Sequence, residues 1–123
     1  MNILEKRQLF AEHFAKLILY AVSLGYQVTM GEVERSKEQA AANARAGVGI
    51  KNSLHILGLA GDLNLFKNGK YFENSEDHAE LGKFWQSLST LEAPHCWGGL
   101  FKDSKGRPKP DGNHYSIMHN GIK

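Results

Sequence analysis

The first part of the chain carries apolar residues at helical spacing. From residue 4 to about residue 24 they form a stripe one face wide, and polar residues fill the remaining surface. Such a stripe is typical of an amphipathic helix, and Gly25 is expected to end it. The stripe consists of Leu9, Phe10, Phe14, Leu17, Ile18, Ala21 and Val22.

Alternating apolar and polar residues predict strands in two later segments. Residues 26–33 place Val28 and Met30 on one side, and residues 61–66 alternate in the same way. The dipeptide Asn68-Gly69 follows the second segment and precedes Tyr71. Because this dipeptide favours the positive φ angles of a tight primed turn, we predict a β-hairpin here.

Two more segments have helical patterns. The first is alanine-rich, runs from Ser36 to about residue 46 and is followed by two glycines. The second begins at Asn74 or Ser75 and runs to about residue 89. Short strands at residues 96–97 and 114–117 complete a small antiparallel sheet. We therefore predict an α+β fold, with about three helices packed mainly on one side of the sheet and an open cleft on the other.

Composition indicates one compact unit. A chain of 123 residues is long enough to form one hydrophobic core but too short to form two stable ones. A single domain over residues 1–123 is therefore expected. Cys96 is the only cysteine, which excludes an internal disulfide framework and fits a reducing compartment. Charged residues near the start of the sequence occupy the positions where a signal peptide would have its apolar stretch, so we do not expect a signal peptide here. The net charge is only +2, and we expect neither membrane insertion nor nucleic-acid binding.

The segment from Ser53 to Asp62 combines an imidazole and a carboxylate with turn-forming residues. His55 and Asp62 are seven positions apart, which in one unbroken strand would point them to opposite faces. Gly58 and Gly61 interrupt the segment. We therefore place His55 on a turn and Asp62 near the start of a strand, so that both side chains face one cleft.

A second segment with candidate catalytic and metal-binding residues lies near the end of the chain. Asp111 and His114 are three positions apart, separated by the turn pair Gly-Asn, and His114 begins a short strand. Catalytic zinc usually takes three nitrogen or oxygen ligands from the protein and keeps one position for water. We predict that His55, Asp62 and His114 bind Zn²⁺ and that Asp111 transfers protons beside it.

These two segments match a known family pattern. The spacing Ser-x-His-x-x-Gly-x-Ala-x-Asp, followed by an acidic residue three before a His and an aromatic, resembles the zinc peptidases of bacterial cell-wall peptides. That family includes D-alanyl-D-alanine carboxypeptidases and dipeptidases and the phage L-alanyl-D-glutamate endopeptidases. Arg35-Ser-Lys-Glu-Gln39 is similar to its Arg-Thr-x-x-Glu-Gln segment, and Trp97-Gly98-Gly99 to its Trp-Gly-Gly strand. The resemblance covers roughly residues 26–117.

The resemblance implies specific roles. His55, Asp62 and His114 correspond to the zinc ligands, Asp111 to the general base and acid, and Arg35 to the residue that holds the substrate carbonyl or the developing oxyanion. An aspartate at the acid/base position is common among the phage enzymes, which are endolysins that cut the L-alanyl-D-glutamate bond of the peptidoglycan stem peptide. The implied protein is a monomeric catalytic domain without a separate cell-wall-binding domain.

The resemblance also implies how such an enzyme reaches its substrate. An endolysin without a leader is made in the cytoplasm of the host bacterium. It acts on the cell wall after release, and access to the wall depends on a separate protein that makes a lesion in the membrane. Cell-wall lysis is therefore the biological outcome that the resemblance implies.

Two other functions remain open at this stage. The same site can serve a D-alanyl-D-alanine carboxypeptidase or dipeptidase, which needs a cation for the free substrate carboxylate. A non-catalytic binding module with the same zinc fold is the other alternative.

Several of these residues could also have a purely structural role. Asp62 is a good turn-capping residue, Asp111 lies in a Pro-Asp-Gly turn, and Arg35 directly precedes a helix-capping pattern. The remaining histidines, at positions 13, 78, 95 and 119, are expected to be structural or solvated.

Overall fold

The computed structural model describes residues 1–33 and 53–123. Within these ranges, a small antiparallel sheet and two α-helices form a mixed fold, as the predicted α+β class requires. The predicted helix after Ser36 lies outside the described residues, as does Arg35. The described elements are α1 (Ile3–Ser23), β1 (Gln27–Met30), β2 (Ala60–Lys67), β3 (Lys70–Phe72), α2 (Ala79–Ser87), β4 (His95–Trp97) and β5 (His114–Ile117), with 3₁₀ turns at Ser75–His78 and Gly98–Leu100.

Helix α1 confirms the predicted amphipathic helix. Asn2 caps its start by accepting a hydrogen bond from the Glu5 backbone N–H at 2.8 Å, and Gly25 follows its end with a φ of +94°. The buried face is narrower than the predicted stripe, since Val22 is 52% exposed. The residues that α1 buries are Phe10, Phe14, Leu17 and Ala21. Neither described helix is both long enough and apolar enough to cross a bilayer.

The sheet brings distant segments into register. Its strands follow the order β1-β2-β5-β4, and β3 pairs with the far part of β2. Strands β2 and β5 are antiparallel, with Asp62 directly opposite His114. Opposite residues of an antiparallel pair point to the same face of the sheet. This pairing therefore places the Asp62 carboxylate beside the His114 imidazole, although the two residues are far apart in sequence.

The core lies between one face of the sheet and the two helices. Leu63 and Leu65 of β2 are fully buried, and the rings of Phe10 and Trp85 meet edge to face with centroids 5.7 Å apart. A Cβ at Gly61 would lie only 2.8 Å from the Phe14 ring, so α1 rests directly on β2. Alternation along β2 leaves Asp62 on the opposite face, where the sheet is open.

Two local predictions for the strands have different outcomes. The hairpin between β2 and β3 is confirmed, because Asn68 and Gly69 both have positive φ angles, of 50° and 79°. Strand β1 is shorter than the predicted residues 26–33, and Met30 is 62% exposed. Beyond its end, Gly31 still donates to the Asp62 carbonyl at 2.9 Å.

Candidate metal centre

A tight turn presents His55 to the open face of the sheet. The Ser53 hydroxyl accepts a hydrogen bond from the His55 backbone N–H at 3.2 Å, and Leu59 donates to the Leu54 carbonyl at 3.0 Å. Gly58 has a φ of +69°, which glycine adopts without strain. The chain therefore reverses at Gly58, as predicted, whereas Gly61 lies within β2.

Three donor atoms converge at this point. His55 Nε2 lies 3.6 Å from Asp62 Oδ1, and His114 Nδ1 lies 3.5 Å from the same oxygen. One donor atom from each of the three residues lies within 4.8 Å of the other two. Ligands held at ~2.1 Å around a tetrahedral zinc ion are roughly 3.4 Å apart, close to the two measured separations. The group could therefore bind a metal ion.

The hydrogen bonding of these residues supports the fit to a cation. Both histidines are nearly inaccessible, with 4% exposure for His55 and 6% for His114. Asp62 Oδ1 is also buried, and it has no hydrogen-bond partner within residues 1–33 and 53–123. A buried carboxylate oxygen without a partner is costly, and a bound cation removes this cost. Two imidazoles and one carboxylate are hard-to-borderline donors that suit a divalent transition metal.

Glu32 contacts two of the three donor residues, His55 and Asp62. Its backbone carbonyl accepts a hydrogen bond from the Asp62 N–H at 2.8 Å, and its carboxylate oxygen Oε1 lies 3.8 Å from His55 Nδ1. The His55 nitrogen that faces Glu32 is the one turned away from Asp62. At this separation the two side chains interact through charge, without a hydrogen bond between them, and a carboxylate closer to the outer nitrogen of a metal-bound imidazole would orient the ring. The sequence patterns missed this residue, because only the pairing with β2 brings it to His55.

The turn between Asp111 and His114 is held by several backbone hydrogen bonds. Asp111 donates its N–H to the Gly98 carbonyl at 2.8 Å, and Gly112 donates its N–H to the Ser75 hydroxyl at 2.9 Å. The Trp97 indole N–H then donates to the Gly112 carbonyl at 2.7 Å. These three contacts fix the turn from both sides. Trp97 thus supports this turn through its indole.

Gly98 explains why a Trp-Gly-Gly segment lies beside the turn. A Cβ at position 98 would overlap the carbonyl oxygen of Asp111 and also approach the Cβ of His114. Any side chain here would therefore push the turn away from β4. The glycine allows the two backbones to approach closely, and this approach determines where Asp111 and His114 lie.

The three donor residues and Asp111 line the same cleft. The cleft has a volume of about 920 Å³, and Asp111 is exposed on its wall. The Phe101 ring packs beside the His114 imidazole with centroids 5.4 Å apart, which limits the rotation of that ligand. The structure thus brings together four of the five predicted site residues. The fifth, Arg35, lies outside the described residues.

The other buried histidines have partners away from the cleft. His78 Nδ1 lies 2.7 Å from the Tyr115 hydroxyl oxygen, and burial lowers the pKa of His78 to about 4. His95 donates from Nδ1 to the Ala93 carbonyl at 2.7 Å, so its Nε2 accepts from His13 Nδ1 at 2.8 Å. Burial likewise lowers the pKa of His95 to about 4. These residues are structural, which is one of the two roles expected for them.

Comparison with known proteins adds one similarity. No protein-family profile matches the chain, and no curated protein matches it significantly in sequence. The crystal structure of the L-Ala D-Glu endopeptidase ChiX from Serratia marcescens superposes with a TM-score of 0.65, at 19% identity, and the match covers 93% of this chain and 84% of that one. The fold resembles that of an L-Ala D-Glu endopeptidase. At this identity, the likeness concerns the fold.

Proposed function

We propose that this protein is a zinc-dependent peptidoglycan peptidase that hydrolyses the L-alanyl-D-glutamate bond of the stem peptide. The observation that carries this proposal is the convergence of His55, Asp62 and His114 in a cleft that Asp111 also lines. The likeness in fold to an L-Ala D-Glu endopeptidase supports the peptidase class. The two sequence segments that resemble the cell-wall peptidases contain these four residues.

Each residue of the centre has a role in this proposal. His55 Nε2, Asp62 Oδ1 and His114 Nδ1 hold the zinc ion, since these are the atoms that face one another. Bound zinc supplies a Lewis acid that activates water and polarises the substrate carbonyl. Glu32 orients His55, and Phe101 restricts the His114 ring.

Asp111 is the proposed general base and general acid. It is an exposed carboxylate on the wall of the cleft, on a turn that Gly98, Ser75 and Trp97 hold in place. It takes the proton from the attacking water and delivers it to the leaving amine of D-glutamate. Arg35 is proposed to hold the substrate carbonyl oxygen, a role that rests on the sequence pattern.

The biological setting is also part of the proposal. The aspartate at the acid/base position favours a phage endolysin that works as a monomeric catalytic domain. Such an enzyme is made in the host cytoplasm and lyses the wall after another protein opens the membrane. Its partner is the peptidoglycan stem peptide, and it neither binds nucleic acid nor inserts into the membrane.

Fragment analysis with metal analysis tests the proposal. Purified peptidoglycan is digested with the zinc-loaded protein, and the released fragments are identified by mass spectrometry. We expect new amino termini at D-glutamate and about one zinc ion per chain. Release of D-alanine from the stem peptide would instead identify a carboxypeptidase, and hydrolysis of free D-alanyl-D-alanine to D-alanine a dipeptidase. No turnover of any wall peptide with zinc bound would indicate a binding module.

A further inference from the structure

Residues 101–109 contribute to one wall of the cleft, and we call this segment the arm. Asp103 organises it: its Oδ1 accepts from the backbone N–H groups of Lys105 at 2.9 Å and Arg107 at 3.0 Å, and its Oδ2 accepts from Arg107 Nε at 2.9 Å. Lys109 N–H donates to the Phe101 carbonyl at 2.9 Å, which closes the arm at its base. The hydrogen bond from the Arg107 N–H lowers the pKa of Asp103. Residues 101–109 therefore have a defined backbone path.

This arm brings positive charge to the cleft. Lys102 and Lys109 come from the arm, Lys123 joins them, and all three line the cleft that contains the metal centre. Within the part of the chain that the structure describes, none of the three ammonium groups forms an ion pair with a carboxylate. Among the described residues that line the cleft, Asp62 and Asp111 carry the side-chain carboxylates, and both have roles in the proposed chemistry.

Lysines that form no close ion pair attract anions to a cleft, and here only the charge of Lys109 also acts on Asp103. A concave surface with charge of one sign focuses the field and raises the local concentration of oppositely charged ligands. Leu100 and Phe101 line the same cleft and add apolar surface beside the lysines. Lys109 is only two residues before Asp111, and both residues line the same cleft.

The proposed substrate carries a matching anion. In the stem peptide, D-glutamate continues the chain through its γ-carboxyl group, so its α-carboxylate is free. That carboxylate is attached to the same carbon as the nitrogen of the bond to be cut. We propose that Lys102, Lys109 and Lys123 form a subsite for this α-carboxylate, so that the enzyme prefers D-glutamate to its neutral α-amide. This inference rests on the proposed function and adds a specificity to it.

A pair of synthetic peptides tests the subsite. Both peptides contain acetyl-L-alanyl-γ-D-glutamyl-L-lysine amide, whose blocked ends carry no carboxylate. In one peptide the D-glutamate has a free α-carboxylate, and in the other this group is an α-amide. For the zinc-loaded protein we expect a kcat/KM about tenfold higher for the free acid, the size of one charge-assisted hydrogen bond. The preference should appear mainly in KM and should weaken as salt is added.

Variants assign the preference to the lysines. In the triple variant Lys102→Ala, Lys109→Ala, Lys123→Ala, the ratio of kcat/KM between the two peptides should fall from about ten to about one. The charge-conserving variant Lys102→Arg, Lys109→Arg, Lys123→Arg should keep most of the ratio. Lys105→Ala is the matched control, because Lys105 lies on the same arm but does not line the cleft. All these side chains are exposed, so melting temperatures should change little.

The outcomes separate this inference from the proposed function. Cleavage of both peptides at equal rates, a preference for the amide, or a ratio that survives the triple alanine variant would overturn the lysine subsite and leave the peptidase intact. Cleavage of neither peptide by the zinc-loaded protein would overturn the proposed function, and the subsite with it.

Discussion

The buried histidines of this protein fall into two groups that burial alone does not distinguish. His55 and His114 in the cleft are 4% and 6% exposed, and His78 and His95 in the core are 2% and 6% exposed. The cleft pair shares one carboxylate oxygen, on Asp62, at 3.5 to 3.6 Å. In the core pair, His78 Nδ1 instead hydrogen-bonds the Tyr115 hydroxyl, and His95 hydrogen-bonds the Ala93 carbonyl and the His13 imidazole. The groups that a buried imidazole faces, more than its depth, indicate whether it can be a metal ligand.

Replacing a ligand is the strongest way to test this comparison. In His114→Ala we expect loss of bound zinc and of detectable peptidoglycan cleavage, because only two of the three donors remain. The melting temperature should then no longer rise on addition of zinc, as it should in the wild type. Zinc content and thermal melts measure both effects. His119→Ala is the control, since His119 contacts Lys6 outside the cleft; an equal loss of zinc in this variant would contradict the assignment.

Replacing Asp111 separates metal binding from proton transfer. In Asp111→Asn we expect kcat to fall by about 10²- to 10⁴-fold with zinc content unchanged, because the amide cannot accept the proton. Cleavage of purified peptidoglycan measures the rate, and Glu92→Gln provides the same chemical change at an exposed position. Cleavage by Asp111→Asn at the wild-type rate would end the assignment of Asp111 as the acid/base residue.

Acid should destabilise the protein through the core histidines. The pKa of His78 and of His95 is about 4 in the folded protein, below the ordinary value of 6.5. The unfolded chain therefore binds more protons between these two values, so stability is constant above pH 6.5 and falls as the pH drops toward 4. The loss is on the order of 3 kcal/mol for each histidine.

Denaturant unfolding of the metal-free protein between pH 4 and pH 7 measures this loss without contributions from bound zinc. In His95→Gln the slope of stability against pH should decrease, whatever the variant's stability at pH 7. A slope identical to that of the wild type would show that His95 does not contribute to the acid sensitivity.

The smallest expected effect concerns the orientation of His55. Glu32→Gln removes the negative charge that faces His55 Nδ1, and comparable replacements weaken metal binding by about tenfold or more. Competition with a chromophoric chelator measures the affinity for zinc directly. Glu73→Gln is the control, because Glu73 is exposed and does not line the cleft. Equal zinc affinity in the wild type and Glu32→Gln would show that Glu32 does not support the ligand.

The sequence predicted those features that depend on neighbouring residues. Gly58 predicts the turn that carries His55, and Asn68-Gly69 predicts the hairpin. The alternation of apolar and polar residues predicts that Asp62 lies on the open face of β2. These are local consequences of backbone conformation and of the two-residue repeat of strands. The grouping of His55, Asp62 and His114 was predicted because two separate segments carried complementary donors.

Features that depend on the pairing of distant segments were not predictable in this way. The register that sets Asp62 opposite His114 and the approach of Glu32 to His55 arise from strand pairing across long stretches of chain. The contact between His13 and His95 similarly requires α1 to pack against β4. Nothing in the local pattern around these residues identifies the partner, because the pairing energy is distributed over the whole sheet and core.

The support of the Asp111 turn has a consequence for protein engineering. Trp97, whose indole holds that turn, packs against helix α2 at Gly82, where a Cβ would overlap the ring. Replacing a glycine inside a helix with alanine ordinarily raises stability by about 1 kcal/mol. Gly82→Ala would instead displace the indole and, through it, Asp111, the proposed acid/base residue. A stabilisation screen guided by helix propensity alone would thus select a substitution that is expected to lower turnover, although Gly82 is neither a proposed metal ligand nor a proposed catalytic residue.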